Sequence, residues 1–268
     1  MRALAARHGI RPRKSLGQHF LIEPTLARRI VELSGVTPGA RVLEIGAGLG
    51  SLTAALAAAG AAVTAVELDR ALVPALEEVA AALEGVRVVL ADALQADWGA
   101  LLEGGPWAVV ANLPYNVAVP VVLRLLDEEP RVERMLVMVQ REVGERLAAV
   151  PGHPHYGAVS LRVAWRAEAR VVRRVPRTVF WPEPNVESVL VEIRRRPAPA
   201  GVDEARLFQV IRVAFAERRK TMRNALVRLG MSRGEAEAAL ARCGIRPEAR
   251  PEELDVAAFA TLAAEVPA

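Results

Sequence analysis

Short apolar runs alternate with helical patterns over the first 150 residues of the chain. Each run is rich in Val, Leu and Ile, as in strands that are buried on both faces. Most of the segments between them repeat apolar residues at the spacing of an amphipathic helix. The predicted strands are 41–45, 62–66, 86–90, 107–111 and 134–139, and the predicted helices are 24–34, 51–59, 70–84, 119–128 and 141–149. This alternation predicts an α/β fold whose parallel sheet is covered on both faces.

The pattern changes after Pro151. Three strands with no helices between them are predicted, which indicates antiparallel additions at the sheet edge: 158–165, 168–175 and 187–194. A Pro-rich linker, 194–201, precedes four predicted helices: 203–216, 219–229, 232–242 and 255–264. The chain is therefore divided into an α/β domain with a basic N-terminal arm, 1–197, and a small all-helical domain, 198–268.

The composition is that of a soluble folded protein. The 268 residues are 52% hydrophobic, which suffices for a core. The single cysteine, Cys243, excludes a disulfide framework and a multi-cysteine metal site. The N-terminus lacks the apolar core of a secretory signal, and the uncharged stretch 46–66 is interrupted by Gly, Ser and Thr. We expect a cytoplasmic protein that does not span a membrane.

Positive charge is concentrated in two segments. Residues 1–30 carry seven Arg and Lys and one acidic residue, and residues 161–230 carry sixteen and seven. The rest of the chain is acidic, although the formal net charge is +4. Such a distribution favours a polyanionic partner, and a solvated surface is the alternative.

A glycine-rich loop follows the first predicted strand. It contains Glu44, Gly46, Gly48 and Gly50, and glycines allow a tight turn and a close approach of backbone to a ligand. Glu67 ends the second strand 21 residues after Gly46, where a carboxylate can accept hydrogen bonds from both ribose hydroxyls. The loop and Glu67 together predict a nucleoside-containing cofactor.

Asp92 ends the third strand, where it could accept a hydrogen bond from an adenine amino group. The loop departs from the dinucleotide pattern G-x-G-x-x-G because Ser51 stands at the third glycine position. A carboxylate near the loop, Glu44, suits a cationic sulfonium better than a pyrophosphate. We therefore favour S-adenosylmethionine over a nicotinamide cofactor. The alternative for Glu67 and Asp92 is a role as helix N-caps.

The fourth strand ends in Asn112-Leu113-Pro114-Tyr115 at the same sheet edge. Such a loop suits the methylation of an exocyclic amine. The N6 amine of adenine is a poor nucleophile because its lone pair is delocalised into the ring. The Asn112 side-chain oxygen and the Leu113 or Pro114 carbonyl could accept its two hydrogens, and Tyr115 could stack on the base. Positioning and electrostatics would then supply the catalysis, with no metal. A purely structural turn is the alternative.

A base inside a duplex cannot be reached, so the target must be unpaired or flipped out. Phe180 lies in a proline-rich loop before a strand and could cover the second face of the base. The alternatives are a core position for Phe180 and a stacking role for Trp181.

Five segments together resemble the ribosomal RNA small-subunit adenine N6-dimethyltransferases, the KsgA/RsmA family. They are GQHFL (17–21), LEIGAGLGSLT (43–53) with VELDR (66–70), NLPYNV (112–117), FWPEPNVES (180–188) and FAERRKTMRN (215–224). The resemblance implies a Rossmann-like S-adenosylmethionine-dependent methyltransferase domain followed by a helical domain. It also implies dimethylation of N6 on each of two adjacent adenosines near the 3′ end of 16S rRNA in a pre-30S particle, and a role in small-subunit biogenesis.

The resemblance also implies roles for individual residues. It assigns catalysis to Asn112, Leu113, Pro114, Tyr115 and Phe180, with Tyr115 and Phe180 on either side of the target base. It assigns cofactor contacts to Gln18, His19, Leu21, Gly46, Gly48, Glu67, Leu68, Asp92, Ala93 and Asn112. Ala118-Val119 replaces a Ser-Thr pair common in the family, so the next helix should begin without a hydroxyl cap.

The basic clusters gain a function from the resemblance. Arg218, Arg219, Lys220 and Arg223 could contact rRNA phosphates together with the N-terminal arm. A solvated helix start or salt bridges are the alternative. We expect a monomer. Two other functions stay open: a 23S rRNA adenine dimethyltransferase of the antibiotic-resistance type, and a ribosome-assembly factor whose methylation is dispensable.

Overall fold

The computed structural model describes residues 1–199, 201–217 and 220–267. The chain divides into two compact units. The first consists of Met1–Gly144 and Glu168–Arg196, and the second of Glu145–Ala167 and Pro197–Ala268.

A seven-stranded sheet forms the centre of the first unit. The strands of the described residues are β1 Phe20–Leu21, β2 Arg41–Ile45, β3 Ala62–Glu67, β4 Val86–Leu90, β5 Trp107–Asn112, β6 Val132–Gln140, β7 Ala167–Val175, β8 Phe180–Trp181 and β9 Ser188–Arg195. The order in the large sheet is β4-β3-β2-β5-β6-β9-β7, while β1 and β8 form a separate antiparallel pair. The five neighbouring strands β4, β3, β2, β5 and β6 are parallel to one another, and β9 is antiparallel to β6. The predicted parallel sheet and its antiparallel addition are thus confirmed.

The helices between these strands cover the sheet. Those of the first unit are α1 Arg2–Arg7, α2 Pro24–Ser34, α3 Ser51–Ala58, α4 Val73–Ala80, α5 Trp98–Leu101 and α6 Ala118–Glu128, and α7 Arg141–Leu147 crosses the boundary. The Glu23 carboxylate caps α2 by accepting from the Thr25 amide, and Gly35 ends it in a left-handed conformation. Helix α6 begins at Ala118 with no side-chain cap, as the replacement of the Ser-Thr pair predicted.

The basic N-terminal arm is folded against the first unit. Helix α1 buries Leu4 in an apolar cluster with Leu49 and Leu72. Arg7 and His8 both contact the Glu78 carboxylate, and an Arg13 guanidinium nitrogen lies 3.2 Å from an Asp69 oxygen. Part of the arm's positive charge is therefore paired with acidic residues of the α/β body.

The regular secondary structure described in the second unit is helical, apart from Ala167 at the start of β7. Its helices in the described residues are α8 Ala158–Arg166, α9 Glu204–Ala216, α10 Met222–Arg228, α11 Arg233–Arg242 and α12 Val256–Glu265. The prediction of a strand at 158–165 is wrong. In the helix observed there, Leu161 and Trp165 lie one turn apart and both pack into the core of this unit.

Residues 145–167 belong to the helical unit by their contacts, although the sequence placed the domain boundary at 197–198. The buried Tyr156 hydroxyl donates to the Leu254 carbonyl at 2.8 Å, which ties this segment to the C-terminal helices. Among the described residues, no helix has the length and hydropathy to cross a bilayer.

Candidate functional site

A pocket that is partly open to solvent lies where β2, β3 and β5 end. Four segments line it: 16–21 before and within β1, 44–52 of the glycine-rich loop, 67–72 after β3, and 112–117 after β5. All four belong to the first unit. The carboxyl ends of parallel strands meet at one edge, so the sheet topology brings these distant segments together.

Two glycines of the loop are required by its shape. Gly46 and Gly48 have φ angles of +73° and +58°. A Cβ on Gly46 would lie 3.1 Å from Pro114 Cδ, and one on Gly48 would lie 3.0 Å from Phe20 Cδ1. Side chains here would strain the backbone and press on the opposite pocket wall.

Glu67 is held by the backbone of the pocket. One carboxylate oxygen accepts from the Gly48 amide and the other from the Asp69 amide, both at 2.8 Å. Burial raises the pKa of Glu67, and these amide donors oppose the rise. Each oxygen keeps a further lone pair, so the carboxylate can still accept from ligand hydroxyls.

Glu44 lines the pocket but is only 2% exposed. It accepts a 2.6 Å hydrogen bond from the buried Thr53 hydroxyl. Burial raises its pKa to about 8, with the nearby Glu67 adding to the rise. The neutral acid is therefore favoured at pH 7, and the structure does not support the simple picture of a carboxylate anion beside the loop.

The Asn112 amide is oriented by a backbone acceptor. Its Nδ2 donates to the His19 carbonyl at 2.9 Å, which leaves the side-chain oxygen free to accept. The Pro114 carbonyl accepts from the Val117 amide, so the Leu113 carbonyl is the better second acceptor for a substrate amine.

Tyr115 lies on the pocket wall and is restrained from two sides. Its ring stacks on His19 with 5.2 Å between ring centroids and 28° between planes. Its hydroxyl lies 2.6 Å from the Ser188 Oγ atom. Burial raises the pKa of Tyr115, so the phenol is neutral at physiological pH.

The other predicted cofactor residues divide into two groups. Gln18, Leu21 and Leu68 line the pocket together with His19, Gly46, Gly48, Glu67 and Asn112. The Gln18 side chain uses its polar atoms on the Arg13 amide and the Asp69 carboxylate. Asp92 and Ala93 lie outside the lining, and Asp92 accepts from the Leu94 amide and the Gln95 side chain in a local turn.

Phe180 is in the core rather than on the pocket wall. It is 2% exposed and packs in the same apolar cluster as Leu21 and Leu190. Pairing of β8 with β1 sets Phe180 opposite Leu21 and Trp181 opposite Phe20. In this structure Phe180 is therefore too buried to cover the second face of the target base, the role that the sequence predicted for it.

The predicted RNA-contacting cluster is only partly described. Arg218 and Arg219 lie outside the described residues. Lys220 is exposed, whereas Arg223 contacts the Glu237 carboxylate at 2.9 Å. The salt-bridge alternative thus applies to Arg223.

Sequence reasoning missed Ser188, Thr53 and Asp69 as residues that hold the site. Each acts through a contact with another site residue: Tyr115, Glu44 and Gln18, respectively. All three lie within motif segments, but only tertiary contacts give them partners. Among the described residues, no cluster of His, Cys, Asp and Glu could hold a metal ion.

Comparisons with known proteins give a consistent result. The family profile "Ribosomal RNA adenine dimethylase" matches residues 9–267. "Ribosomal RNA small subunit methyltransferase A" of Thermobifida fusca is 50% identical, covering 100% of this chain and 94% of the relative. The namesake protein of Streptomyces coelicolor is 47% identical, covering 98% of this chain and 94% of the relative.

Solved structures confirm the Rossmann-like fold. A dimethyladenosine transferase from Plasmodium falciparum matches with a TM-score of 0.79 and 22% identity over 91% of this chain and 96% of its own. The 23S rRNA methyltransferase ErmE matches with a TM-score of 0.71 and 26% identity, over 92% and 99%. The resemblance inferred from the five motifs is confirmed, and the chain belongs to the ribosomal RNA adenine dimethylase family.

Proposed function

We propose that this protein transfers methyl groups from S-adenosylmethionine to N6 of two adjacent adenosines near the 3′ end of 16S rRNA, dimethylating each. The small-subunit relatives are up to 50% identical over the whole chain, which supports this substrate over 23S rRNA. The observation that carries the chemistry is the oriented Asn112 amide beside the glycine-rich pocket. The substrate is a pre-30S particle, and the enzyme acts as a cytoplasmic monomer in small-subunit biogenesis.

The residues present fit the cofactor. The close approach of Gly46 and Gly48 to the opposite wall leaves backbone rather than side chains against a ligand. Glu67 offers hydroxyl acceptors, and Gln18, His19, Leu21 and Leu68 supply further walls. When bound, S-adenosylmethionine supplies an electrophilic methyl group on its sulfonium. Asp92 and Ala93 are retained as contacts at the adenine end, since the Ala91 amide bonds to the Glu67 carbonyl and keeps them beside β3.

Asn112 and Leu113 prepare the nucleophile in this proposal. Their oxygens accept the two N6 hydrogens, which draws the nitrogen lone pair out of conjugation with the ring. Tyr115 stacks on the base and fixes its distance from the cofactor. Such stacking contributes about 1–3 kcal/mol of binding free energy per base. Pro114 rigidifies the turn. Phe180 would cover the opposite face only if the segment around β8 adjusts on RNA binding.

Mass spectrometry of 16S rRNA fragments tests the proposal. Unmethylated small subunits are incubated with the protein and S-adenosylmethionine, and two adjacent dimethyladenosines are expected near the 3′ end. Large subunits serve as the control. Methyl transfer to 23S rRNA alone would replace the proposal with the antibiotic-resistance type of activity.

Glu67→Ala separates the enzyme from a binding factor with dispensable catalysis. We expect the variant to lose methylation because the carboxylate holds both the glycine-rich loop and the ligand hydroxyls. Binding to the particle, measured by sedimentation, should stay within about threefold, because affinity for RNA comes mainly from phosphate contacts. Glu84→Ala, an exposed change outside the pocket, is the matched control. Loss of particle binding in Glu67→Ala would mean that the cofactor and RNA sites are coupled.

A further inference from the structure

Ser188 is a buried hydroxyl with a partner in the pocket. It is the first residue of β9 and pairs in register with Gln140 at the end of β6. Its side chain is fully buried, and its Oγ lies 2.6 Å from the Tyr115 hydroxyl. One of the two hydroxyls donates to the other. Among the described residues, Tyr115 is the hydrogen-bond partner of the Ser188 side chain.

His19 restrains the same ring from its face. Its Nδ1 lies 2.7 Å from the Pro182 carbonyl oxygen. A carbonyl only accepts, so Nδ1 carries the hydrogen and the imidazole is tied to the loop after β8. With the His19 ring stacked on one face, Tyr115 is fixed at its hydroxyl and along one side.

We propose that Ser188 is a positioning residue that holds the Tyr115 ring in the orientation that stacks on the target adenine. This inference rests on the proposed function and adds a residue to its site. A tyrosine ring can rotate about its two side-chain torsions, and the His19 contact constrains only a face. The Ser188 hydroxyl sits on the rigid β6–β9 ladder, so it transmits the position of the sheet to the ring.

Kinetics of Ser188→Ala, Tyr115→Phe and the double variant test the coupling. For Ser188→Ala we expect kcat/KM for the small-subunit particle to fall about three- to tenfold, the effect of one hydrogen bond. The KM for S-adenosylmethionine should be unchanged within twofold. Tyr115→Phe removes the same bond from the other side, so the double variant should be no slower than either single variant. Multiplying losses in the double variant would overturn the proposal.

A matched control measures the cost of losing a buried serine hydroxyl. Ser34 is also buried and donates a 2.6 Å hydrogen bond, in its case to the Val31 carbonyl in α2. Ser34→Ala should lower Tm about as much as Ser188→Ala and leave the kinetics unchanged. Ser188→Cys, which keeps a weak donor of similar shape, should recover part of the lost rate. Equal kinetic losses in Ser34→Ala and Ser188→Ala would overturn the proposal.

A spectroscopic measurement does not depend on activity. The chain has two tyrosines, so Tyr115 is the one remaining in a Tyr156→Phe background. The hydrogen bond from Ser188 lowers the pKa of Tyr115, against the rise caused by burial. Ser188→Ala in that background should therefore raise the pKa of Tyr115 in an ultraviolet titration. An unchanged titration curve would show that the two hydroxyls do not interact in solution.

Different results would overturn the proposed function and the positioning role of Ser188. If the parent protein does not methylate small subunits, the proposed function fails, while the tyrosine titration still reports the Ser188–Tyr115 bond. If the parent is active but the variants multiply their losses, the positioning role fails and the proposed function stands.

Discussion

Two glutamates of the pocket show how burial separates residues of the same type. Glu67 receives two backbone amide donors, which favour its ionised form and oppose the effect of burial. Glu44 receives the Thr53 hydroxyl and the Thr53 amide, but burial outweighs both donors and raises its pKa to about 8. Glu67 is therefore suited to accept hydrogen bonds from a ligand, whereas Glu44 is suited to brace the loop as a neutral acid.

Glu44→Gln should change the pH dependence of stability. The folded-state pKa of Glu44 lies above its ordinary value, so the folded parent takes up the proton more readily than the unfolded chain. Its contribution to stability is fully present below about pH 4.5 and is lost as pH rises toward 8. Between pH 5 and pH 9 the parent should therefore lose a few kcal/mol of unfolding free energy relative to the Glu44→Gln variant, which has no carboxyl group at this position. Urea unfolding at several pH values measures this, and parallel curves would contradict the burial argument.

Asn112→Ala should lower turnover far more than cofactor affinity. The side-chain oxygen is expected to act on the target amine, whereas the amide nitrogen is used by the His19 carbonyl. We expect kcat to fall at least 100-fold, in the range found when an oriented transition-state acceptor or donor is removed. The Kd for S-adenosylmethionine, measured by calorimetry, should rise no more than about threefold. Asn185→Ala, an exposed change outside the pocket, is the control, and equal losses in kcat and affinity would assign Asn112 to cofactor binding instead.

At the scale of elements, the pocket depends on the turn between β2 and α3. Gly46, Gly48 and Gly50 adopt positive φ angles in succession, which aims the backbone into the pocket. The β1–β8 pair supplies the opposite wall through Phe20, and β5 delivers the turn at Pro114. Short strands at one sheet edge therefore define the width of the site.

Gly48→Ala should weaken cofactor binding and stability together. Its cost has two parts, a positive φ and a Cβ contact of 3.0 Å with the Phe20 ring. Gly9→Ala is a matched control because Gly9 has a nearly equal φ of +62° with nothing within 4 Å of the added Cβ. The control should lose about 1 kcal/mol of stability, and Gly48→Ala should lose more and also raise the Kd for S-adenosylmethionine. Equal losses of stability in the two variants, with unchanged affinity in Gly48→Ala, would show that the Phe20 side chain moves away from the added Cβ at little cost.

At the scale of the molecule, some basic side chains are paired with carboxylates of the protein, while others are exposed and available to bind RNA phosphates. Arg7, Arg13 and Arg223 are engaged by carboxylates of their own unit. Lys220, by contrast, is exposed on the helical unit, with no side-chain ion pair among the described residues. Total charge therefore overstates the capacity for RNA phosphates, and Lys220 is the better candidate of the described cluster.

Lys220→Gln should reduce the salt dependence of particle binding. Each phosphate contact contributes a slope of about one to the plot of log affinity against log salt concentration, so we expect the slope to fall by about one. Arg223→Gln should change it less, because Glu237 already compensates that charge. Filter binding at several salt concentrations measures both slopes. A larger effect for Arg223 than for Lys220 would mean that the Arg223–Glu237 pair opens on RNA.

The sequence by itself determined the α/β architecture, the glycine-rich loop and the family. Strand and helix periods are local, as are the turns that require glycine, so 24–34 and 41–45 could be predicted with their observed limits. Only the tertiary structure decided the helix at 158–166, the burial of Phe180, the raised pKa of Glu44 and the bond between Ser188 and Tyr115. Burial, desolvation and hydrogen-bond partners depend on residues distant along the chain, and the fold alone brings those residues into contact.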